Sequence, residues 1–285
     1  MKLLLDMVRG ALIGVANVIP GVSGGTMMVS MGIYDTIIGC ITNLLKQWKK
    51  SILTLLPYAL GMGIGIVLSA FSVELLFERF PLPTALLFIG LIFGGIPMLF
   101  AKVKGGKLSV RHIALFLAAF ALVVGLQLLG QKTGLERELT LSVPNVIIAF
   151  FLGIVASATM VIPGVSGSMV MMLLGYYTAV IGIINDCVKA LIGFHVMDLL
   201  KCAGILFPFG IGVLLGIFWV AKLIEYLMKK YQRETYCAIL GLVAAAPFPI
   251  FMNAGINTFS VGTVAAAAAT FVLGFIGALR LGKEA

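Results

Sequence analysis

Charged residues interrupt this chain so rarely that they divide it into long apolar runs. The uncharged stretches are 10–34, 51–73, 80–101, 112–131, 139–185, 202–221 and 235–279. A helix that crosses a bilayer needs about 20 apolar residues. The last run is long enough for two crossings, which turn at the Gly/Asn cluster 253–257. Only 11% of the residues are charged, against about 25% in soluble domains. The sequence therefore predicts an all-α polytopic membrane protein.

The chain also contains an internal repeat. Residues 10–46 align without a gap with residues 153–189. Further along, matching residues keep the same order: Pro57/Pro208, Gly61/Gly212, Gly65/Gly216, Thr84/Thr235 and Gly90/Gly241. We therefore interpret residues 1–285 as a single transmembrane domain built from two repeats, 1–142 and 143–285.

Each repeat carries one copy of the motif Pro-Gly-Val-Ser-Gly inside an apolar run, starting at Pro20 and at Pro163. Proline removes a backbone donor and glycine opens unusual backbone conformations, so a continuous helix should not pass through the motif. In a bilayer, such a break survives only where protein or a water-filled cavity satisfies the freed backbone groups. Two matching breaks in two halves of a membrane protein indicate a transport site.

The distribution of Lys and Arg indicates how the broken segments are arranged. If each segment crosses the membrane, the basic residues divide almost evenly between the two sides. If each segment dips in and returns, three crossings remain per repeat and most basic residues lie on one side, as expected for cytoplasmic loops. Three is odd, so the second repeat is then inverted. We predict two inverted repeats, each a re-entrant helix hairpin plus three transmembrane helices, with cytoplasmic termini and tips that meet near the midplane.

The residues after each Pro-Gly can form a neutral anion site. A helix that restarts near Ser23 or Ser166 points unpaired N–H groups and the positive end of its dipole at the break. Hydroxyls add donors and glycines let a ligand approach, which suits phosphate or carboxylate. The alternative is that the motif only kinks helices or lets them pack closely. The predicted substrate-binding residues are Pro20, Gly21, Ser23, Gly24, Gly25, Thr26, Pro163, Gly164, Ser166, Gly167 and Ser168.

Two polar residues precede the breaks. Asn17 lies one turn before the first break, where the second repeat has Met160, and Thr159 is the nearby polar residue of the second repeat. Both could line a cavity at the predicted transport site. The alternative for both is hydrogen bonding between helices.

A separate group of residues is ionisable and could couple transport to a proton or a sodium ion. Asp35 is a candidate intramembrane carboxylate, and the alternative is an acid at the membrane interface close to Lys46. Glu74, Arg79 and Glu225 lie at span ends, where they could form ion pairs, bind a coupling proton or steer an anionic head group. The alternative is that they simply reach toward the membrane interface.

Other function classes lack the residues they need. No Gly-Lys-Ser/Thr follows the motif, which excludes a Walker loop. Residues 21–25 match the Gly-x-Ser-x-Gly of serine hydrolases. However, His112 falls at a predicted cytoplasmic edge and His195 in a predicted loop, so neither lies at the depth of the serines and an intramembrane hydrolase is only a third alternative. We expect no enzyme, cofactor, metal or nucleic-acid partner. The cysteines occur singly, at Cys40, Cys187, Cys202 and Cys237.

In its length, its duplication and both motif copies, 20–26 and 163–168, the chain resembles the bacterial PopT-type polyprenyl-phosphate transporters, formerly a family of unknown function. The resemblance implies that the substrate is undecaprenyl phosphate, the carrier lipid of cell-wall and surface-polymer synthesis. It implies a flippase of the bacterial cytoplasmic (inner) membrane that returns this lipid to the cytoplasmic leaflet, with the motif copies as phosphate region. The alternative is a secondary transporter or channel for a small soluble anion through the same site.

Overall fold

A computed structural model describes residues 2–18, 22–104, 108–130, 136–256 and 259–283. Within these ranges the chain is helical and contains no strand, so the all-α prediction is confirmed. The helices of residues 1–142, the first half, are α1 (Lys2–Val18), α2 (Gly24–Ser30), α3 (Tyr34–Thr42), α4 (Trp48–Arg79), α5 (Pro81–Val103) and α6 (Val110–Gly130). Those of residues 143–285, the second half, are α7 (Val143–Val161), α8 (Gly167–Leu173), α9 (Tyr177–Ile192), α10 (Val196–Lys230), α11 (Gln232–Ala245), α12 (Pro247–Asn253) and α13 (Val261–Lys283).

Several of these helices can cross a bilayer. Among the described residues, seven segments are long and apolar enough: α4, α5, α6, α7, α10, the pair α11–α12, and α13. Two bent pairs, α2–α3 and α8–α9, raise the number to nine if each pair counts as one span. The chain is a multi-pass membrane protein. The last apolar run forms two helical segments as predicted, because α12 ends at Asn253 and α13 begins at Val261.

Each half contains a second break that the sequence analysis missed. The axes of α2 and α3 differ by 117°, and those of α8 and α9 by 113°. Gly32 and Gly175 lie at these bends with φ of 70° and 78°, a region that glycine adopts without the steric cost of a side chain. The chain from Ser23 to Asp35 is therefore not one helix, since Asp35 belongs to α3.

Glycines bring two equivalent helix pairs into close contact. A Cβ at Gly10 of α1 would collide with the backbone of Tyr58 in α4, and one at Gly153 of α7 would collide with Phe209 in α10. Small residues of this kind let helices approach closely in a membrane, where packing replaces the hydrophobic effect. The remaining long helices pair between the halves, because α5 packs on α13 and α6 packs on α11. The two halves are thus interleaved.

Candidate functional site

The two motif copies, far apart in sequence, meet in the folded chain. The backbone N–H of Gly164 donates to Thr26 Oγ1 at 2.7 Å. A Cβ on Gly25 would lie 3.2 Å from the Met160 carbonyl oxygen and equally close to Pro163. Thr26 and Pro163 are fully buried at this contact. These motif residues hold the two tips together and do not line an open space. Pro20 and Gly21 lie outside the described residues.

Both motifs restart a helix where the sequence predicted it. Ser23 and Ser166 are the N-cap residues of α2 and α8, both with extended backbone, and neither hydroxyl caps its own helix. The N–H of Gly24 is instead satisfied by Asn17 Oδ1 at 3.2 Å. In the second half Thr159 Oγ1 donates to the Ala156 carbonyl at 2.6 Å. The polar residue before each break is therefore hydrogen-bonded within its own half of the chain.

A cavity of about 310 Å³ lies between the two hairpin tips. Ser23 lines it from the first half, and its Oγ is buried without a hydrogen-bond partner. The hydroxyls of Ser166 and Ser168 line it from the second half and lie 2.9 Å apart. Its other polar lining residues among those described are Asn17, Thr159 and Tyr177. The described lining includes neither a carboxylate nor a basic side chain, so the cavity is uncharged, with its hydroxyls set in a mainly apolar lining.

Tyr177 is a cavity residue that the sequence analysis did not select. It aligns with Tyr34 of the first half, and this identity within the repeat was the available signal. The Tyr34 hydroxyl donates to the Val161 carbonyl at 2.9 Å, in a buried position at the tip contact. The two tyrosines therefore occupy different environments.

The predicted coupling residues lie away from this cavity. Asp35 Oδ2 accepts from Lys102 Nζ at 3.2 Å and from the Tyr236 hydroxyl at 2.6 Å. The described hydrogen bonds of Asp35 therefore go to α5 and α11, and its role as a coupling residue or as an interfacial acid stays a prediction.

The other predicted coupling residues are not brought together with Asp35 in the described part of the chain. Glu225 Oε1 accepts from Lys229 Nζ at 2.6 Å, one turn along α10. Arg79 is exposed at the end of α4, and the side chain of Glu74 lies outside the described residues.

Neither histidine is placed to activate a motif serine. His112 Nδ1 lies 2.6 Å from the hydroxyl of Ser109, at the start of α6. His195 lines a different cavity, of about 650 Å³, beside Asp198 and Lys201. Among the described residues that line the site cavity there is no histidine. The geometry offers serine hydroxyls as hydrogen-bond donors without the base that a nucleophile needs.

A sequence model of the undecaprenyl phosphate translocase-like family matches residues 13–268. The chain belongs to this family. A relative from Staphylococcus aureus named polyprenyl-phosphate transporter is 30% identical, and the alignment covers 98% of this chain and 96% of the relative. A second protein of that name, from Vibrio cholerae, is 27% identical over 85% of this chain and 76% of its own length. No solved structure matches.

Membership of the translocase-like family confirms the resemblance inferred from the two motifs. The family and both relatives are named for transport, so the prediction that the chain is a transporter and not an enzyme is confirmed. The intramembrane serine hydrolase is thereby set aside.

Removing the Thr26 hydroxyl tests the contact between the tips. Thr26→Val keeps the shape but leaves the buried Gly164 N–H without its acceptor. An unpaired buried donor costs about 1–3 kcal/mol, so we expect a lower thermal unfolding temperature of the purified protein in detergent. Thr26→Ser keeps the oxygen and should remain close to wild type. Equal unfolding temperatures for the valine and serine variants would mean that this hydrogen bond contributes nothing.

Proposed function

We propose that this protein is a flippase that moves undecaprenyl phosphate across the bacterial cytoplasmic membrane and returns the carrier lipid to the cytoplasmic leaflet for cell-wall and surface-polymer synthesis. The observation that carries the proposal is the cavity between the hairpin tips, with the buried, unpaired Ser23 hydroxyl on one side and Ser166 and Ser168 on the other. The substrate class follows from the relatives named polyprenyl-phosphate transporter.

A phosphate head group that enters the hydrocarbon core without partners pays a large desolvation cost. In the cavity it would accept from the serine hydroxyls and from the first N–H groups of α8, which begins at Gly167. Hydrogen bonds to an ionised acceptor are about twice as strong as neutral ones. Since the cavity holds no fixed charge, it binds the anion without keeping a buried cation when the substrate is absent.

The rim of the cavity suits a lipid. Met160, Ile181 and Ile184 line it and are 49%, 40% and 39% exposed. An exposed apolar rim gives the prenyl tail a path along which it stays in the bilayer while the head group is inside. A carrier for a small soluble anion has no use for such a rim. This feature favours lipid transport over the soluble-anion alternative.

The architecture in the proposal is two inverted repeats, 1–142 and 143–285, each with a re-entrant hairpin, with both termini in the cytoplasm. The matching α1–α4 and α7–α10 contacts and the exchange of partners between α5–α13 and α6–α11 support it. The head group would cross by rocking of one repeat against the other. Coupling to a proton or sodium ion through Asp35, Glu74, Arg79 or Glu225 stays a prediction.

The test uses purified protein in liposomes that carry undecaprenyl phosphate in one leaflet, with its appearance in the other leaflet as readout. The double variant Ser23→Ala, Ser166→Ala removes two donors, each worth about 1.5–3 kcal/mol toward a charged group. We expect it to slow transfer by at least about tenfold.

The matched control removes two buried serine hydroxyls outside the cavity. In Ser69→Ala, Ser157→Ala each lost hydroxyl had donated to a carbonyl of its own helix, and transfer should continue near the wild-type rate. If wild-type protein transfers inorganic phosphate but no lipid, the substrate assignment is wrong and the soluble-anion alternative replaces it.

A further inference from the structure

The two hairpins match in sequence but differ in their surroundings. Ile38 in α3 is 2% exposed, whereas its repeat partner Ile181 in α9 is 40% exposed and lines the cavity. The helix α3 packs against α10 of the other half, and α9 makes no comparable contact with α4 among the described residues. The first hairpin is therefore closed against the opposite half and the second is open.

Two hydrogen bonds join the closed hairpin to the other half at the tip, the Thr26–Gly164 bond and a bond from Tyr34. The Tyr34 hydroxyl, on a residue only 3% exposed, donates to the Val161 carbonyl. Val161 is the last residue of α7, and the last carbonyls of a helix have no donor within it. The Tyr34 bond therefore satisfies a helix end and links α3 to the opposite half.

The open hairpin carries the same donor without that bond. Tyr177 aligns with Tyr34, lines the cavity, and its hydroxyl makes no hydrogen bond within the described part of the chain. The residue that aligns with Val161 is Val18, the last residue of α1 that the structure describes. The chain thus contains two equivalent donor–acceptor pairs, of which one is joined.

We propose that Tyr34 and Tyr177 form a reciprocal latch in which only one tyrosine is bonded to the opposite half at a time. In the second state Tyr177 donates to the Val18 carbonyl, the second hairpin closes, and Tyr34 is released into a cavity on the other side. Because both bonds pair the same groups, exchanging one for the other leaves the two states close in free energy, as a switch requires. The inference rests on the alternating movement in the proposed function and names the residues that carry it.

The latch also gives the open tyrosine a second role. The Tyr177 hydroxyl shares the cavity with Ser166 and Ser168, and a phenol donates readily to an anionic oxygen. An open hairpin then offers its tyrosine to the phosphate, and closure withdraws it.

The two states are unequal at one point, because Met169 stands where the first half has Thr26. The Thr26–Gly164 bond therefore has no counterpart and favours the state described here.

The test measures which hairpin is open, without any lipid substrate. Ile38→Cys and Ile181→Cys are introduced separately after Cys40, Cys187, Cys202 and Cys237 are replaced by Ala, and the rate of maleimide labelling is followed in liposomes. Tyr34→Phe should raise labelling at position 38 about fivefold and lower it at position 181, since a net hydrogen bond changes an equilibrium by about that factor. Tyr177→Phe should move both rates the other way.

The matched control is Tyr226→Phe, an exposed tyrosine of α10 whose hydroxyl accepts from Lys230, and it should change neither rate. If Tyr34→Phe alters neither rate, or if both hairpin variants shift labelling in the same direction, the latch is wrong. Transfer of undecaprenyl phosphate is measured on the same samples. Lipid transfer with unchanged labelling rejects the latch and keeps the proposed function. Opposite labelling shifts without lipid transfer support the latch and reject the substrate.

Discussion

Arg9→Ala is expected to lower the free energy of unfolding by about 3–5 kcal/mol, as breaking a buried ion pair does. Arg9 is 1% exposed, and its Nη1 donates to Asp6 Oδ1 at 3.0 Å. Its Nη2 donates to the Leu281 carbonyl at 2.6 Å, which ties α1 to the end of α13. The Tyr58 hydroxyl also donates to Asp6 Oδ1, at 2.8 Å. Without the guanidinium, the Asp6 carboxylate stays buried with one neutral donor.

The second half supplies the control for this prediction. The residues that align with Asp6, Arg9 and Tyr58 are Ala149, Leu152 and Phe209, and they form an apolar version of the same helix contact. The triple variant Asp6→Ala, Arg9→Leu, Tyr58→Phe should therefore recover most of the lost stability, because a buried pair replaced by apolar residues of similar size is often neutral.

Thermal unfolding in detergent, followed by circular dichroism, measures both variants against wild type. A triple variant as unstable as Arg9→Ala would contradict the argument, since it would mean that the ions contribute more than packing can replace. A stable Arg9→Ala would mean that Asp6 is not held by Arg9.

Gly167→Leu is expected to slow lipid transfer by at least about tenfold, which corresponds to roughly 1.4 kcal/mol on the barrier. Gly167 is the first residue of α8 and lines the cavity. A Cβ there would lie 2.9 Å from Thr159 Oγ1, so the rest of a leucine side chain must project into the space of about 310 Å³. It would cover the free N–H groups of α8 and occupy the volume that the head group needs.

Gly63→Leu is the matched control, because Gly63 is exposed on α4 and a Cβ there would meet nothing within 4 Å. Both variants are reconstituted at equal amounts and compared for transfer of undecaprenyl phosphate between leaflets. Gly63→Leu should behave as wild type. Unimpaired transfer by a folded Gly167→Leu protein would show that the head group does not pass between the tips.

Local properties of the chain were sufficient to predict the membrane-spanning character and the main breaks. Hydropathy over about 20 residues decides whether a helix can cross a bilayer, and the effect of Pro-Gly on a helix acts over one turn. Both properties can be inferred from consecutive residues without knowing which other helices pack against them. For the same reason the helix starts after Ser23 and Ser166 were predicted correctly.

The second bends were harder to predict because a single glycine such as Gly32 is tolerated in many helices. Its positive φ depends on where α3 must go, and α3 packs against α10 of the other half while Asp35 at its start pairs with Lys102 and Tyr236. Such pairings join residues far apart in the chain, and no local pattern encodes them. The same applies to the motif residues that pack at the tip contact, such as Gly25 and Thr26.

The internal repeat separates most clearly what the sequence determined from what the tertiary structure determined. Sequence alone established that Tyr34 and Tyr177 are equivalent and that each follows one copy of the motif. Only the tertiary structure decided that Tyr34 is buried against Val161 while Tyr177 lines the cavity. The physical reason is that the surroundings of each hairpin are set by the helices of the other half. In the described part of the chain α10 packs against α3, whereas α4 makes no comparable contact with α9.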